Sequence, residues 1–554
     1  MAEPIEPEAV YADDGEALPA DLRAAFDAYE RALAVDDLAA LDAAFAPGPG
    51  TIRADGTGVL VGHDAISRFR GSRGGVAPRV IERLEARRLA PQTWLLVATS
   101  RYAAGGTGVQ TQVWQRVTTG SADTDAGRWV ITAAHVTPRA QAFDRSIWRT
   151  VGDPLYQGAW EGPLAGLTVA VKDLFAIRGY RIGAGNPTWL EQSRPETTSA
   201  PAVADLLRAG ASLRGIARTD ELAYSVAGAN AHYGTPPNGA VPGALPGGSS
   251  SGPASAVATG QADVALATDT AGSIRVPASY QGLWGLRTTH GLVPRQGLLP
   301  LAQSFDTVGW LTRDGATLER VVAAALGADG DPDLDGGAGP DGAASLPWHL
   351  AIPREVLAVA EPGTAAALAA LVARLRGVDD APAVEEVDIG DLAAYAEPFR
   401  VVQAAEAWRN HGAWVTANPG ALGAPVAHRM QQASTVTAAQ EAAAREELAL
   451  RREHLRAVVT DRVLLMPTVP GPAPSRATSG GDGAAAAADD LRVRTLRTTT
   501  PASAAGLPSI SVPLVRVTGA SGAPAPVGLC LTAASGSDLA LVQLARRLAD
   551  LLGP

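Results

Sequence analysis

Lysine is nearly absent from this chain. Of 46 basic residues, only Lys172 is a lysine and the rest are arginines. Cysteine is as scarce, and the single Cys530 excludes an intrachain disulfide. The eight histidines form no cluster at ligand spacing, so no metal and no cofactor is expected. No apolar run approaches the roughly 18 residues of a membrane span, so no membrane partner is expected. The net charge is −11 and no basic tract occurs, which argues against nucleic acid. The N-terminus, MAEPIEPEAVYADDGE, is acidic and lacks the apolar core of a signal peptide, so a cytoplasmic location is expected.

What the chain has is length and apolar content: 554 residues, 46% hydrophobic, enough for a large core and more than one domain. Residues 1–19 read as a loose arm. Leu22, Phe26, Tyr29 and Leu33 recur at helical spacing, and Leu38, Leu41 and Phe45 suggest a second short helix. Gly58–Gly62 reads as strand and turn and His63–Arg70 as a short helix. Strand-like runs follow at Thr93–Tyr102, Val109–Val117 and Arg128–Val136, separated by glycine-rich turns at 105–106 and 120–127. Helices followed by a meander predict a small α+β domain over 1–137. Residues 138–157 read as a linker carrying Trp148 and Tyr156. Beyond it, strand and helix signals alternate, as in Val169–Val171, Ala200–Gly210 and Leu213–Ala217, which predicts an α/β core. The Gly/Ala/Asp-rich segments 327–345 and 476–490 look mobile. Ala438–Val458 and Ser537–Leu552 are predicted helices; Pro508–Leu514 and Val527–Leu531 are predicted strands.

The densest chemistry lies between Gly247 and Gly291. Gly-Gly-Ser-Ser-Ser-Gly opens onto a small-residue segment, the apolar run Ala262–Ala267 follows, and a second turn, Thr270-Ala-Gly-Ser273, comes next. A Gly/Ser linker is the bland alternative, but a linker does not carry an apolar run. Two serine-bearing turns on one apolar segment fit covalent acyl transfer, which needs a nucleophile, a proton carrier and an oxyanion site. No Gly-x-Ser-x-Gly elbow points to a serine–histidine pair. Lys172 closes the apolar run Val169-Ala-Val. It is either a surface cation or a buried lysine whose burial disfavours the charged form, so that it can act as a base. Cys530, in Gly-Leu-Cys-Leu, reads as core.

GGSSSG (247–252), TDTAGSIR (268–275), PAS (277–279), GLWGLRTTHG (282–291) and VAVKDLF (169–175) resemble the amidase signature family. The resemblance covers residues 158–554, and Ala271 departs from it where the family usually has glycine. It implies an amidase signature fold, a mixed sheet covered by helices, and a catalytic set of Lys172 as base, Ser249 as bridging serine after a cis peptide bond, and Ser273 as nucleophile. Oxyanion donors would be the backbone N–H groups of Thr270, Ala271, Gly272 and Ser273. Asp269 and Arg275 would pair to hold the loop, Ser250 and Ser251 would be structural, and Asp173 would orient Lys172.

GNPTWL (185–190), TDELAYSVAGANAHYGTP (219–236) and SFDTVGWLTRD (304–314) resemble the indole-3-acetamide hydrolase branch, which implies an arylacetamide substrate. TQVWQRV (111–117) and GRWVITAAHV (127–136) resemble an NTF2-like cone domain found with amidases of ureido acids, which implies a ureido-acid substrate. Expected substrate-binding residues are Tyr224, Asn230, His232, Trp310, Trp408 and Arg409, with Arg181 as a further anion clamp. Docking or assembly, including a homodimer, is the role expected of the cone domain. A ligand site lined by Trp114, Arg116, Trp129 and His135 is the alternative. The leading expectation is an amidase acting on a small-molecule amide. The alternatives are a glutaminase-type subunit of an amidotransferase, a carbamate, anilide or ester hydrolase with the same triad, and a docking module without catalysis.

Overall fold

The spacing of Leu22, Phe26 and Tyr29 makes one face of the helix Ala20–Val35, and all three are buried with Ala32. The computed structural model that shows this describes residues 8–11, 17–55, 58–73, 78–102, 107–118, 127–137, 143–327, 346–476, 484–520 and 522–553. It divides into two units, Met1–Ala142 and Phe143–Pro554. Most of the expected N-terminal arm, the turns at 105–106 and 120–126, and the segments 328–345 and 477–483 lie outside the described residues.

In the first unit the strands are β1 (Glu8–Tyr11), β2 (Ile52–Asp55), β3 (Gly58–Val61), β4 (Arg79–Ala90), β5 (Thr93–Tyr102), β6 (Thr107–Val117) and β7 (Arg128–Thr137). They form one sheet in the order β1-β4-β5-β6-β7-β2-β3. The three predicted strands are there as β5, β6 and β7. β4 was not foreseen, because only Leu84 and Ala86 of its RVIERLEARRLA are buried and its charges mask the alternation. Trp94, Trp114 and Trp129 join Phe26, Tyr29 and Phe45 in a core under the helices. Trp114 donates to Gln112 Oε1 at 2.8 Å, and Arg116 pairs with Asp21 at 2.9 Å. His135 is exposed, so the expectation that it lines a cone is corrected.

The second unit is built on β8 (Trp148–Tyr156), β9 (Thr168–Lys172), β10 (Ser212–Ala217), β11 (Val264–Asp269), β12 (Trp284–Arg287), β13 (Thr307–Thr312), β14 (His349–Pro353), β15 (Ala383–Val387), β16 (Val463–Pro467), β17 (Ser509–Thr518) and β18 (Pro524–Thr532). They form a mixed sheet in the order β15-β14-β16-β18-β17-β12-β13-β11-β9-β10-β8. The predicted linker therefore ends in a strand: β8 pairs antiparallel with β10, and Trp148 is buried, its Nε1 donating to Gln261 at 2.6 Å. The predicted mobile stretch 476–490 is helical from Ala484, at the start of a helix that runs to Ala505. Its alanine run is a strong helix former, and that outweighs its low complexity.

β9 lies between β10 and β11, parallel to both. Strands buried on both faces read as continuous apolar runs, and here the two faces differ in size. Val169, Val171, Val264 and Leu266 fill one side. Ala170, Ala265 and Ala267 leave room on the other for the helix Ser251–Ala258 through Ala254, Ala256 and Val257. By the same alternation Lys172 falls on the alanine side, toward the serine-rich turn.

Candidate active site

Three segments converge where parallel β9 and β11 end. β9 delivers Lys172, β11 runs into the turn 270–273, and the loop 247–250 leads into the helix Ser251–Ala258. Lys172 is wholly buried, and its Nζ lies 2.9 Å from Ser249 Oγ, 2.9 Å from Ser250 Oγ and 2.7 Å from Thr268 Oγ1. Burial pushes the ammonium from its ordinary 10.5 down to about 7, against the opposing pull of Asp220, Asp269 and Asp306. Desolvation is the larger effect here because none of the three carboxylates touches it.

A neutral lysine amine has two protons and one lone pair. Ser250 Oγ directs its own proton to the Thr268 carbonyl at 3.3 Å, so it accepts from Lys172. Ser249 has no such competing acceptor among the described residues, and its hydroxyl is the one free to donate to the lysine lone pair. Its backbone is anchored on both sides. The Gly248–Ser249 peptide is cis, Gly248 N–H donates to Val226 O at 2.9 Å, and the Ser249 carbonyl accepts from Asp220 N–H at 3.0 Å and Thr219 Oγ1 at 2.8 Å. Asp220, buried behind the turn, accepts from Ser251 Oγ at 2.8 Å and Gly228 N–H at 2.9 Å.

The turn 270–273 is held by a fully buried charge cluster. Asp269 accepts from Arg275 Nε and Nη2, both at 3.0 Å, and pairs with Arg287 at 3.1 Å. Burial alone would raise the Asp269 carboxyl, but the two guanidiniums outweigh it and hold it well below the usual range. Thr270 Oγ1 donates to Asp306 at 2.6 Å; burial pushes Asp306 up to about 6 despite that bond and those from Leu301 and Ala302 N–H. Gly272 N–H donates to Asp269 Oδ1 at 2.8 Å, so the expectation that it is an oxyanion donor is corrected. No described residue accepts from the N–H groups of Thr270, Ala271 or Ser273. Gly272 has φ +121°, whereas Ala271 is not among the residues at positive φ. That is why alanine fits where the family usually has glycine.

Ser273, Thr270 and Ala271 open onto a cavity with about 290 Å³ of empty space, walled also by Tyr224, Ser225, Val226, Leu301, Gln403, Arg492 and Leu496. Ser250 N–H donates to the Ser273 carbonyl at 3.3 Å and ties the two serine turns together. The hydroxyls of Ser249 and Ser273 do not hydrogen-bond to each other among the described residues. Tyr224 follows Leu222 and Ala223, both at positive φ, a tight turn that brings residues 223–226 to the cavity.

The remaining predicted substrate contacts lie elsewhere. Asn230 Nδ2 donates to the Gly185 and Thr219 carbonyls, which braces the loop. His232 Nε2 lies 2.6 Å from Glu221. Trp310 is in the sheet core between Leu266 and Leu286. Trp408, on the helix Ala393–Ala417, packs against an apolar cluster. Arg409 is 59% exposed and pairs with Glu441 at 2.7 Å, and Arg181 donates to the Glu191 carbonyl at 3.2 Å. None of them is among the residues that line the cavity. Asp173 pairs with Arg149 at 2.8 Å rather than with Lys172. Cys530 is buried, 3.1 Å from Ser509 Oγ.

Sequence reasoning missed Thr268, Asp220, Arg287, Asp306, Gln403 and Arg492. The first four lie inside the motif stretches, where a buried polar or charged group could have been suspected. Gln403 and Arg492 carry no local signal. Among the described residues no helix is long and apolar enough to cross a membrane, and no group of three or more His, Cys, Asp or Glu could hold a metal ion.

Comparison with known proteins places both units. Residues 149–542 match the family model described as Amidase, and residues 13–141 match the one described as AtzH-like. Amidase 1 of Arabidopsis thaliana is 36% identical over 417 residues, covering 70% of this chain and 93% of its own. Amidase 1 of Oryza sativa subsp. japonica is 34% identical over 416 residues, covering 70% and 90%. Among solved structures, an inhibitor-bound, vestigial protein complex that reveals the evolutionary origins of an s-triazine catabolic enzyme aligns with TM-score 0.61 and 28% identity, covering 71% of this chain and 86% of that one.

Proposed function

Given that this chain belongs to the amidase family, whose members hydrolyse carbon–nitrogen bonds, we propose that it cleaves a small amide through an acyl-enzyme on Ser273, with Ser249 relaying protons to Lys172. The observation that carries this reading is the buried Lys172, 2.9 Å from Ser249 Oγ and held near neutrality by desolvation.

Ser273 Oγ attacks the amide carbon while its proton passes to Ser249, whose own proton passes to the neutral Lys172 amine. The carbonyl oxygen becomes an oxyanion and takes hydrogen bonds from Ala271 and Ser273 N–H; one such donor typically contributes about 3–4 kcal/mol to the transition state. Lys172 then returns a proton through Ser249 to the departing nitrogen, and the C–N bond breaks. Water attacks the acyl-Ser273 ester by the same relay. The Ser249–Ser273 contact closes when substrate is bound, as catalytic hydrogen bonds commonly do.

The test is ammonia or amine release from primary amides, anilides, carbamates and ureido acids, with Ser273→Ala as control and mass spectrometry for the acyl-enzyme. Ser273→Ala is expected to lose roughly 10⁴-fold or more in kcat while keeping its Tm. Retention of most activity in that variant would overturn the assignment.

A further inference from the structure

Arg492 is the one charged residue among those lining the cavity, and no carboxylate faces it there. Its acidic neighbour is Asp489, 3.7 Å away, three residues back on the same helix and 71% exposed. Such a pair contributes little. Behind the Tyr224 ring stands Arg429, its Cζ 5.7 Å from the ring centroid. Arg429 Nε is buried and has no hydrogen-bond partner among the described residues, and no carboxylate there lies within ion-pair distance of its guanidinium. Arg400 is the third, paired with Glu397 at 3.3 Å, another exposed neighbour on its own helix.

The other buried guanidiniums of the site, Arg275 and Arg287, share the Asp269 carboxylate. Burying a cation without an anion is costly, and burying like charges together costs more. Desolvation and then Arg492 push Arg429 down to about 10, against the weaker pull of Tyr224, Asp220 and Glu221. Among the described residues no buried carboxylate lies within ion-pair distance of these three guanidiniums, and Arg492 opens into the cavity that holds Ser273.

We propose that the substrate supplies a buried anion here: the cavity takes small amides that also carry a carboxylate, with Arg492 receiving it and Arg429 adding field from behind Tyr224. Leu301, Leu496 and Val226 line the cavity with Arg492 and Ser273 and offer apolar walls to a short spacer. This rests on Ser273 as the site of amide attack. It excludes the two tryptophans expected as aromatic walls, Trp310 and Trp408, from substrate selection.

Matched pairs test it: succinamate against butyramide and glutaramate against valeramide, each measured as kcat/KM by ammonia release. The full-length wild type, Arg492→Gln and Arg492→Lys are compared, with calorimetric binding of the same amides to Ser273→Ala and to Ser273→Ala/Arg492→Gln. The wild type should prefer the carboxylate partner of each pair. Arg492→Gln should cut that preference roughly 10–100-fold, what a charge-assisted hydrogen bond contributes, mostly through KM. Arg492→Lys should restore part of it.

No preference in the wild type, or a preference unchanged in Arg492→Gln, overturns the proposal. Turnover of neutral amides without preference leaves the hydrolytic reading standing and sinks this one. If no amide is turned over but Ser273→Ala binds succinamate in an Arg492-dependent way, the anion site stands and the hydrolytic reading falls. Binding of neither member of a pair counts against the anion site.

Discussion

Replacing Lys172 tests the proton relay most directly. Its pKa falls from 10.5 to about 7, which at 1.36 kcal/mol per unit is on the order of 5 kcal/mol of discrimination against the charged form. The kcat/KM for an amide should rise with pH along a single limb centred near 7 and level off on the alkaline side. Lys172→Arg keeps a cation that cannot deprotonate in the working range, so it should be nearly as inactive toward amides as Lys172→Ala. Activated esters leave without a proton, so ester cleavage should survive better in both. The same shift has a stability consequence. The folded pKa lies below the unfolded one, so the unfolded chain binds more protons between about pH 7 and 10.5, and this residue's contribution to stability rises with pH across that window, by at most about 1.4 kcal/mol per unit. The difference between wild type and Lys172→Met in unfolding free energy should show that slope. The assays are pH–rate profiles on a matched amide and ester and chemical unfolding at several pH values. Amide turnover by Lys172→Arg within a few-fold of wild type would refute proton transfer as its role, and a flat stability difference from pH 7 to 10 would refute the depressed pKa.

Asp269→Asn removes the one carboxylate shared by two buried guanidiniums, so it should destabilise by about 3–5 kcal/mol, read by denaturant unfolding at pH 7. The folded pKa of Asp269 is lowered, so the wild type should lose that contribution only as pH falls through and below about 4. Gly272→Ala puts a Cβ 3.0 Å from Thr499 Cγ2 at φ +121°, which should displace the turn and cut kcat by about 10²-fold, the scale of losing an oxyanion donor, while KM changes less. Steady-state kinetics on the best amide of the panel checks it.

The candidate site was legible because it is written in short, local turns. Small residues and serines at strand ends bring backbone and hydroxyl groups together whatever the rest of the chain does, and Asp269 and Arg275 lie within one turn of each other. A lone lysine closing an apolar strand was readable because burial of β9 on both faces follows from its own composition. The alternation of valine with alanine along β9 even carries the side on which Lys172 falls. Loop residues such as Asn230 and His232, expected as substrate contacts, have partners among neighbouring segments instead, and chemical type alone does not show that a side chain is already satisfied.

The cavity walls were decided by tertiary structure alone. Gln403 and Arg492 lie on helices 130 and 219 residues beyond Ser273, and a polar residue on a helix says nothing of which distant turn its face will meet. The charge cluster around Tyr224 exists only because Arg400, Arg429 and Arg492 come from three helices that pack together; each alone reads as an ordinary surface arginine. Sequence determined the candidate centre because its parts are neighbours along the chain or end adjacent strands. Folding decided what the centre accepts, because selectivity depends on the facing sides of helices whose contacts are set by packing and not by their own residues.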